Sequence, residues 1–196
     1  TINVTNFMDG IDGLIGLQAL VFGVHVLGLG GDGLAATLGA ALAGASAGFL
    51  AWNWAPARIF LGDVGSADIG YVMALLGVLL GRDAGVPVVT AFLPLYPIFL
   101  DAAATLVRRG RAGASLTQAH RDHLYQRLAS QGWGHARVSA LYGAAAALGV
   151  LVARWNVPAV HPLPTASYFL AVGLAGFLLD RDLRGRTSRS SGKASA

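Results

Sequence analysis

The stretch TINVTNFMDGIDGLIG (residues 1–16) places three polar side chains, Asn6, Asp9 and Asp12, directly before a long apolar run. A carboxylate at the edge of hydrocarbon is costly unless it has a partner or a task. Residues three apart share a flank on a helix, so each neighbouring pair of this trio is predicted to lie together. Such a group can bind a cation or the donors of a base or sugar, or it can simply cap the first apolar helix.

The composition is that of a membrane protein. The chain is 55% hydrophobic and only 12% charged, with a mean hydropathy of +0.58, whereas soluble domains are about 25% charged. Cysteine is absent, which excludes disulfides and thiolate metal sites. Apolar segments near the length of about 20 residues that a span needs occur at roughly 14–30, 34–53, 67–81, 86–107, 136–153 and 163–179. We therefore predict an all-α, polytopic transmembrane helical bundle with about six spans.

Several spans are predicted to be irregular. The third is short and would have to extend into its neighbours, and Pro87, Pro94 and Pro97 should bend or break the fourth. Residues 35–48 are nearly all alanine and glycine, a pattern that lets membrane helices approach closely. Residues 181–196 are basic and rich in serine, and we expect a disordered tail there.

Basic residues are unevenly divided between the two ends of the bundle. If each segment crosses the membrane, one side holds twelve basic residues and the other only Arg82 and Arg154. The positive-inside rule makes the crowded side cytoplasmic, with lipid headgroups or phosphorylated substrates as partners and no nucleic acid. The crowded side contains residues 1–13, 54–66, 108–135 and 180–196, together with Arg137 at the start of the next span.

Two further polar motifs fall on this same side. In RIFLGDVGSAD (58–68), Asp63 lies between two glycines and Ser66 can cap the following span, leaving a helix N-terminus that attracts phosphate. One carboxylate together with substrate phosphates is a usual way to hold Mg²⁺. The alternative is an ordinary turn from a loop into a helix.

The third motif, RRGRAGASLTQAHRDHLYQRL (108–128), is basic. His120, Arg121, His123 and Arg127 are suited to binding a diphosphate, since two histidines without a third ligand do not make a zinc site. A solvated amphipathic helix on the membrane surface is the alternative. Nearby, Asp101 lies inside a span, where it either pairs with an arginine or serves the site.

The motifs NFMDGIDGL, FLGDVGS and P…D…RR…G…H..H resemble the polyprenyl-phosphate N-acetylhexosamine-1-phosphate transferases (glycosyltransferase family 4, MraY/WecA-like) over residues 1–135. The resemblance implies a multi-pass enzyme of the bacterial cytoplasmic membrane with its active site facing the cytoplasm. Such an enzyme uses Mg²⁺ to transfer N-acetylhexosamine 1-phosphate from a UDP-sugar to undecaprenyl phosphate, releasing UMP. A homodimer is compatible with such an enzyme.

The resemblance also implies roles for particular residues. Asp63 matches the magnesium-binding aspartate, and it joins Asp9 and Asp12 as the expected catalytic carboxylates. Asn6 belongs with Asp9 and Asp12 in the motif that lines the nucleotide site. His123 matches the first histidine of an H-x-H-H motif that handles the sugar nucleotide, with His120, Arg121 and Arg127 as its expected neighbours in substrate binding.

Two departures from the family pattern qualify the resemblance. Tyr125 and Gln126 replace the next two histidines, which favours initiation of O-antigen-like surface polysaccharide over transfer from UDP-MurNAc-pentapeptide. Nothing matches the paired aspartates and lysine of the family's N-terminal half. We therefore expect residues 1–180 to be the C-terminal part of a membrane-embedded transferase domain in a longer protein.

Two alternatives stay open at this level. A transporter or flippase for lipid-linked or anionic solutes would also present basic loops, but it should carry polar residues deep within several spans. A non-catalytic fragment would need only the bundle.

Overall fold

The computed structural model describes residues 1–115, 121–157 and 159–194, with side chains as far as residue 185. Within these ranges the chain forms nine α-helices and no strand. The helices are α1 (Ile2–Met8), α2 (Leu14–Leu29), α3 (Leu34–Asn53), α4 (Gly62–Ala84), α5 (Val88–Phe92), α6 (Tyr96–Arg111), α7 (Leu124–Leu128), α8 (His135–Trp155) and α9 (Pro162–Ala194).

The long helices match the predicted spans. Five helical segments of the described chain are long and apolar enough to cross a membrane, and the 16-residue α2 is a shorter apolar helix. The five segments are Leu34–Asn53, Gly62–Ala84, Val88–Arg111, His135–Trp155 and Pro162–Gly185. The predicted all-α, polytopic bundle is therefore confirmed.

The fourth span is broken where the prolines predict. A single 3₁₀ turn over Leu93–Leu95 separates α5 from α6. Pro94 and Pro97 both fall in the first turn of a helical element, where a missing backbone N–H costs little. After the break, α6 carries Asp101 in the interior in its first half and ends in arginines.

The third span begins earlier than its apolar run suggests. Helix α4 starts at Gly62 and continues for 23 residues, so Asp63 lies in its first turn and Ser66 lies inside the helix. The prediction that Ser66 caps this helix is wrong. An acidic residue in the first turn is favoured by the partial positive charge of a helix N-terminus, which explains why the helix can begin there.

Small residues bring α2 and α3 close together. A side chain at Gly23 would lie 2.7 Å from the backbone nitrogen of Ala43, and one at Gly39 would lie 2.8 Å from that of Leu27. Only glycine permits this approach, as the alanine- and glycine-rich segment predicts. The pair forms one side of a buried core that also includes side chains of α1, α4, α6, α7 and α8, among them Met8, Met73, Ile98, Leu128 and Val138.

The last helix extends past the final apolar run. Helix α9 continues to Ala194. Leu183 is 1% exposed, and Arg184 Nε lies 2.8 Å from Asp180 Oδ2 one helical turn away. Burial and this ion pair extend the helix past the apolar run.

Candidate active site

Helix α1 lies against the start of α4 and brings two of the polar motifs together. The Asn6 amide donates from Nδ2 to Ser66 Oγ at 3.1 Å and lies 3.4 Å from Asp63 Oδ1. The contact is close because Gly70 of α4 leaves room for α1: a side chain there would lie 2.7 Å from the Cα of Ile2. Asp63 itself is exposed. Residues 57 positions apart in sequence thus share one surface.

Asp9 lies near Asp63 and Asn6, and we call these three residues the acidic group. It ends α1, and its backbone N–H donates to the carbonyl of Asn6. Burial, and then the negative charge of Asp63, raise the pKa of Asp9 to about 6. The two carboxylates therefore repel one another across a half-buried surface, an arrangement that favours binding of a proton or a cation.

Asp12 has different neighbours, because α1 ends at Met8 and Asp12 is not on its helix. The prediction that Asp9 and Asp12 share a helical flank is therefore wrong. Asp12 Oδ2 accepts the backbone N–H of Ala57 at 3.1 Å and lies 3.2 Å from His135 Nδ1. These contacts fasten the turn before α2 to the loop before α4 and to the start of α8.

Asp101 holds the third motif through hydrogen bonds to its carboxylate. Its carboxylate accepts the backbone N–H groups of Leu124 at 2.8 Å and Tyr125 at 3.1 Å, and the hydroxyl of Tyr142 at 2.6 Å. His123, only 2% exposed, lies with Nδ1 3.7 Å from Asp101 Oδ1. Of the two roles left open for Asp101, the structure favours support of the site, because the carboxylate satisfies the first amides of α7.

The predicted substrate ligand His123 is thus packed in the interior. Its backbone begins α7, and its N–H donates to Gln126 Oε1 at 3.3 Å. Its ring stacks beside Tyr125, with centroids 5.7 Å apart. The surroundings of His123 make it a residue that shapes α7 from the interior.

Tyr125 connects α7 to the acidic group. Its hydroxyl donates to the carbonyl of Phe7 at 3.1 Å, and a side chain at Gly10 would collide with that hydroxyl. Burial, followed by the charges of Asp101 and Asp9, raises the pKa of Tyr125, so it stays protonated and remains a donor. The sequence marked Tyr125 only as a departure from the family pattern, and that departure is the signal from which its role could have been found.

The arginines of the basic loop divide into two kinds. Arg127 pairs with Asp180 of α9, and Arg108 Nη1 lies 3.1 Å from the same carboxylate. Arg121 is exposed and has no ion pair with another residue that the structure describes. His120 lies outside the described residues.

These contacts bring the four predicted segments of the basic side to one end of the bundle. Sequence reasoning missed three residues that hold them there: Asn53, His135 and Asp180. Asn53 Oδ1 accepts the N–H of Gly13 at 3.0 Å, and its Nδ2 donates to the carbonyl of Ile59 at 2.9 Å. A buried polar residue at the end of an apolar run, as Asn53 is, was the available signal.

The carboxylates are compatible with a hard divalent cation. In the described part of the chain no group of three or more histidine and acidic side chains is arranged to hold a metal. Mg²⁺, however, is usually bound by one or two carboxylates with water and substrate phosphates. Asp63 and Asp9 supply two, and a cation between them would relieve the repulsion that raises the pKa of Asp9. The residues present therefore fit Mg²⁺ that completes its coordination from outside this chain.

The fold and this end of the bundle define a polytopic membrane protein with carboxylates, a buried histidine and arginines gathered at one end. The family model for glycosyl transferase family 4 matches residues 1–81, which include Asn6, Asp9, Asp12 and Asp63. The chain belongs to this family.

Individual relatives agree with the family assignment. The chain is 33% identical over 153 residues to a Bacillus subtilis protein named as a probable undecaprenyl-phosphate N-acetylglucosaminyl 1-phosphate transferase, covering 71% of this chain and 41% of the relative. It is 37% identical over 161 residues to a Mycobacterium tuberculosis decaprenyl-phosphate N-acetylglucosaminephosphotransferase, covering 70% and 40%.

A shorter match is to a phospho-N-acetylmuramoyl-pentapeptide-transferase of Moorella thermoacetica. It is 40% identical over 92 residues, covering 45% of this chain and 29% of the relative. In all three comparisons the chain spans less than half the length of the relative.

We expect Asp63→Asn to lower the pKa of Asp9 from about 6 without returning it to the usual value of 3.8, because burial is the larger cause and remains. Titration of the Asp9 carboxyl by ¹³C NMR in selectively labelled protein measures this. Since the folded state binds the extra proton between pH 4 and 6, Asp9 makes folding less favourable as pH rises through that range. Asp68→Asn, at an exposed carboxylate on the same helix, is the control, and an unchanged pKa in Asp63→Asn contradicts the coupling.

We expect Asp101→Asn to loosen α7, because one carboxylate oxygen becomes an amide that cannot accept a backbone N–H. Hydrogen exchange of the Leu124 and Tyr125 amides should accelerate about tenfold or more, the cost of leaving a buried donor unpaired. Asp83→Asn, at an exposed carboxylate paired with the adjacent Arg82, should leave these amides unchanged. Equal exchange in both variants would show that Asp101 does not hold α7.

Proposed function

We propose that the protein containing this chain transfers N-acetylhexosamine 1-phosphate from a UDP-sugar to undecaprenyl phosphate, releasing UMP. Residues 1–180 would form the C-terminal part of its membrane-embedded transferase domain. The observation that carries the proposal is the contact of Asn6 with Asp63, with Asp9 in the electrostatic field of Asp63. The motifs that resemble the transferase family are separate in sequence, and here they supply neighbouring carboxylates.

Asp63 and Asp9 would hold Mg²⁺. When bound, the ion would neutralise the charge that develops on the diphosphate as UMP leaves. Asn6 restrains the Asp63 carboxylate through its amide N–H. Asp63 lies in the first turn of α4, and a helix N-terminus favours a nearby phosphate. Catalysis in this proposal comes mainly from positioning the two phosphates and balancing their charge.

The basic loop would hold the substrates in place. Arg121 is exposed and suited to a phosphate oxygen, and Arg127 lies on the same short stretch, braced by Asp180. His123 acts from the interior by shaping α7 against Asp101. Asp12 similarly positions the acidic turn, so both are positioning residues in the proposed mechanism.

We place the enzyme in the bacterial cytoplasmic membrane, with the acidic and basic end facing the cytoplasm. The twelve basic residues that the sequence assigns to that end support the orientation. The two longer matches, to relatives named for N-acetylglucosamine, support an N-acetylhexosamine donor. We extend the proposal to initiation of a cell-surface polysaccharide of the O-antigen kind, on the basis of Tyr125 and Gln126 in the basic loop.

We expect Asp63→Asn in the full-length protein to reduce UMP release by roughly 100-fold or more, because a neutral amide is a poor ligand for the Mg²⁺ that would neutralise charge on the diphosphate. The assay combines UDP-N-acetylglucosamine, undecaprenyl phosphate and Mg²⁺ with protein in detergent. Asp68→Asn removes an equal charge from the same helix and should keep its activity. Normal turnover in a correctly inserted Asp63→Asn protein would refute the assignment of Asp63.

We expect the same assay to proceed at least tenfold faster with UDP-N-acetylglucosamine than with UDP-MurNAc-pentapeptide, since one well-recognised substrate group is worth about one order of magnitude or more. The measurement is kcat/KM for each donor with undecaprenyl phosphate as acceptor. A preference for the pentapeptide donor would refute the proposed sugar while leaving the transferase reaction intact. No turnover with either donor, in protein that is folded and loaded with Mg²⁺, would favour a non-catalytic role.

A further inference from the structure

Helices α6, α8 and α9 enclose a groove of about 680 Å³. This volume is within the range of roughly 300–1,000 Å³ that is usual for ligand sites. Its walls are mostly aliphatic and aromatic, and they include Leu100, Ala104, Leu141, Leu148, Val172 and Phe177. The groove therefore offers an apolar surface in a part of the chain that spans the membrane.

The groove is open along one side. Val107, Leu148 and Phe177 line it, and their side chains are 52, 45 and 62% exposed. All three lie on segments long and apolar enough to span the bilayer. A hydrocarbon chain in the membrane can therefore enter from the side without passing through water.

One end of the groove is positively charged. Arg108, Arg111 and Arg184 line the groove together with two carboxylates. Asp180 pairs with Arg108 and Arg184, and Asp101 is buried. Arg111, in the last turn of α6, is exposed and has no ion pair with any residue in the described ranges. An unpaired guanidinium beside an apolar groove complements a phosphate that carries hydrocarbon chains.

The groove does not include the acidic residues Asp9 and Asp63 of the candidate active site, although Asp101, which supports α7, lines it. The lining residues come from α6 to α9, and none belongs to α1 or α4, which carry Asn6, Asp9 and Asp63. A lipid in this groove would therefore bind apart from the reacting phosphates. That separation favours a resident lipid of the bilayer over the lipid acceptor of the proposed reaction.

We propose that this groove binds one anionic glycerophospholipid, with an acyl chain along α6, α8 and α9 and its phosphate at Arg111. Leu124 of α7 also lines the groove, and its backbone N–H is bound by Asp101. The bound lipid thus packs against the helix that the candidate site depends on.

The test is lipid retention by the full-length protein, measured by native mass spectrometry with dioleoylphosphatidylglycerol and dioleoylphosphatidylcholine as equal competitors. We expect the anionic lipid to be retained preferentially, and Arg111→Gln to weaken its binding about fivefold, the contribution of one arginine beside an anionic lipid. Arg181→Gln is the matched control, because Arg181 is exposed on α9 and does not line the groove.

A second variant tests the apolar part of the groove. The nearest atom to a side chain at Gly176 would be Leu124 Cδ2 at 3.9 Å, so Gly176→Leu fits the helix while filling the space. We expect it to reduce retention of phosphatidylglycerol with all three arginines intact. Leucine also has a higher helix propensity than glycine, so loss of folding is not expected.

Three results would each overturn the proposal. Equal retention of the two glycerophospholipids would show that the groove does not select an anionic lipid. Equal effects of Arg111→Gln and Arg181→Gln would show that any preference comes from general surface charge. Complete displacement of phosphatidylglycerol by an equimolar amount of undecaprenyl phosphate would assign the groove to a polyprenyl lipid. Each result is read from binding alone, so it is independent of whether the transferase reaction is observed.

Discussion

The buried carboxylate of Asp101 is the constraint on which this end of the bundle depends. A charge inside an apolar bundle is tolerated only when donors surround it, and here the donors are two backbone N–H groups of α7 and the hydroxyls of Tyr142 and Thr105. Because those amides belong to α7, satisfying the charge also determines where α7 lies. Tyr125 then reaches from α7 to the carbonyl of Phe7, so the position of the acidic turn follows from the same carboxylate.

In the acidic group, by contrast, two carboxylates lie where they repel one another. Burial, and then the negative charge of Asp63, raise the pKa of Asp9 to about 6, so this pair is held in an arrangement that it would not adopt for stability alone. Packing of α1 on Gly70 and the contact of Asn6 with Ser66 hold it together. The two carboxylates repel one another unless a cation is bound, and they lie beside the start of α4. This arrangement is consistent with the proposed transfer of a sugar phosphate and with the family to which the chain belongs.

Much of the fold could be predicted, because apolar length and proline act locally. The spans, the break at Pro94 and Pro97, and the close approach at Gly23 and Gly39 follow from rules that need no tertiary contact. The site was predicted less completely. Helical spacing predicted that Asp12 lies beside Asp9. Helix α1 ends at Met8, however, and the turn after it brings Asp12 into contact with Ala57 and His135.

The amino-acid sequence by itself determined the class of protein, the positions of the spans, and the grouping of polar loops at one end, because hydrophobic length and arginine distribution are properties of each segment alone. Only the tertiary structure decided which polar residues share a surface. It placed Asn6 and Asp9 with Asp63, turned His123 inward against Asp101, and paired Arg127 with Asp180. The physical reason is that a buried charge or donor takes whatever partner the packed helices bring to it, and in these pairs the partners lie up to 57 residues apart along the chain.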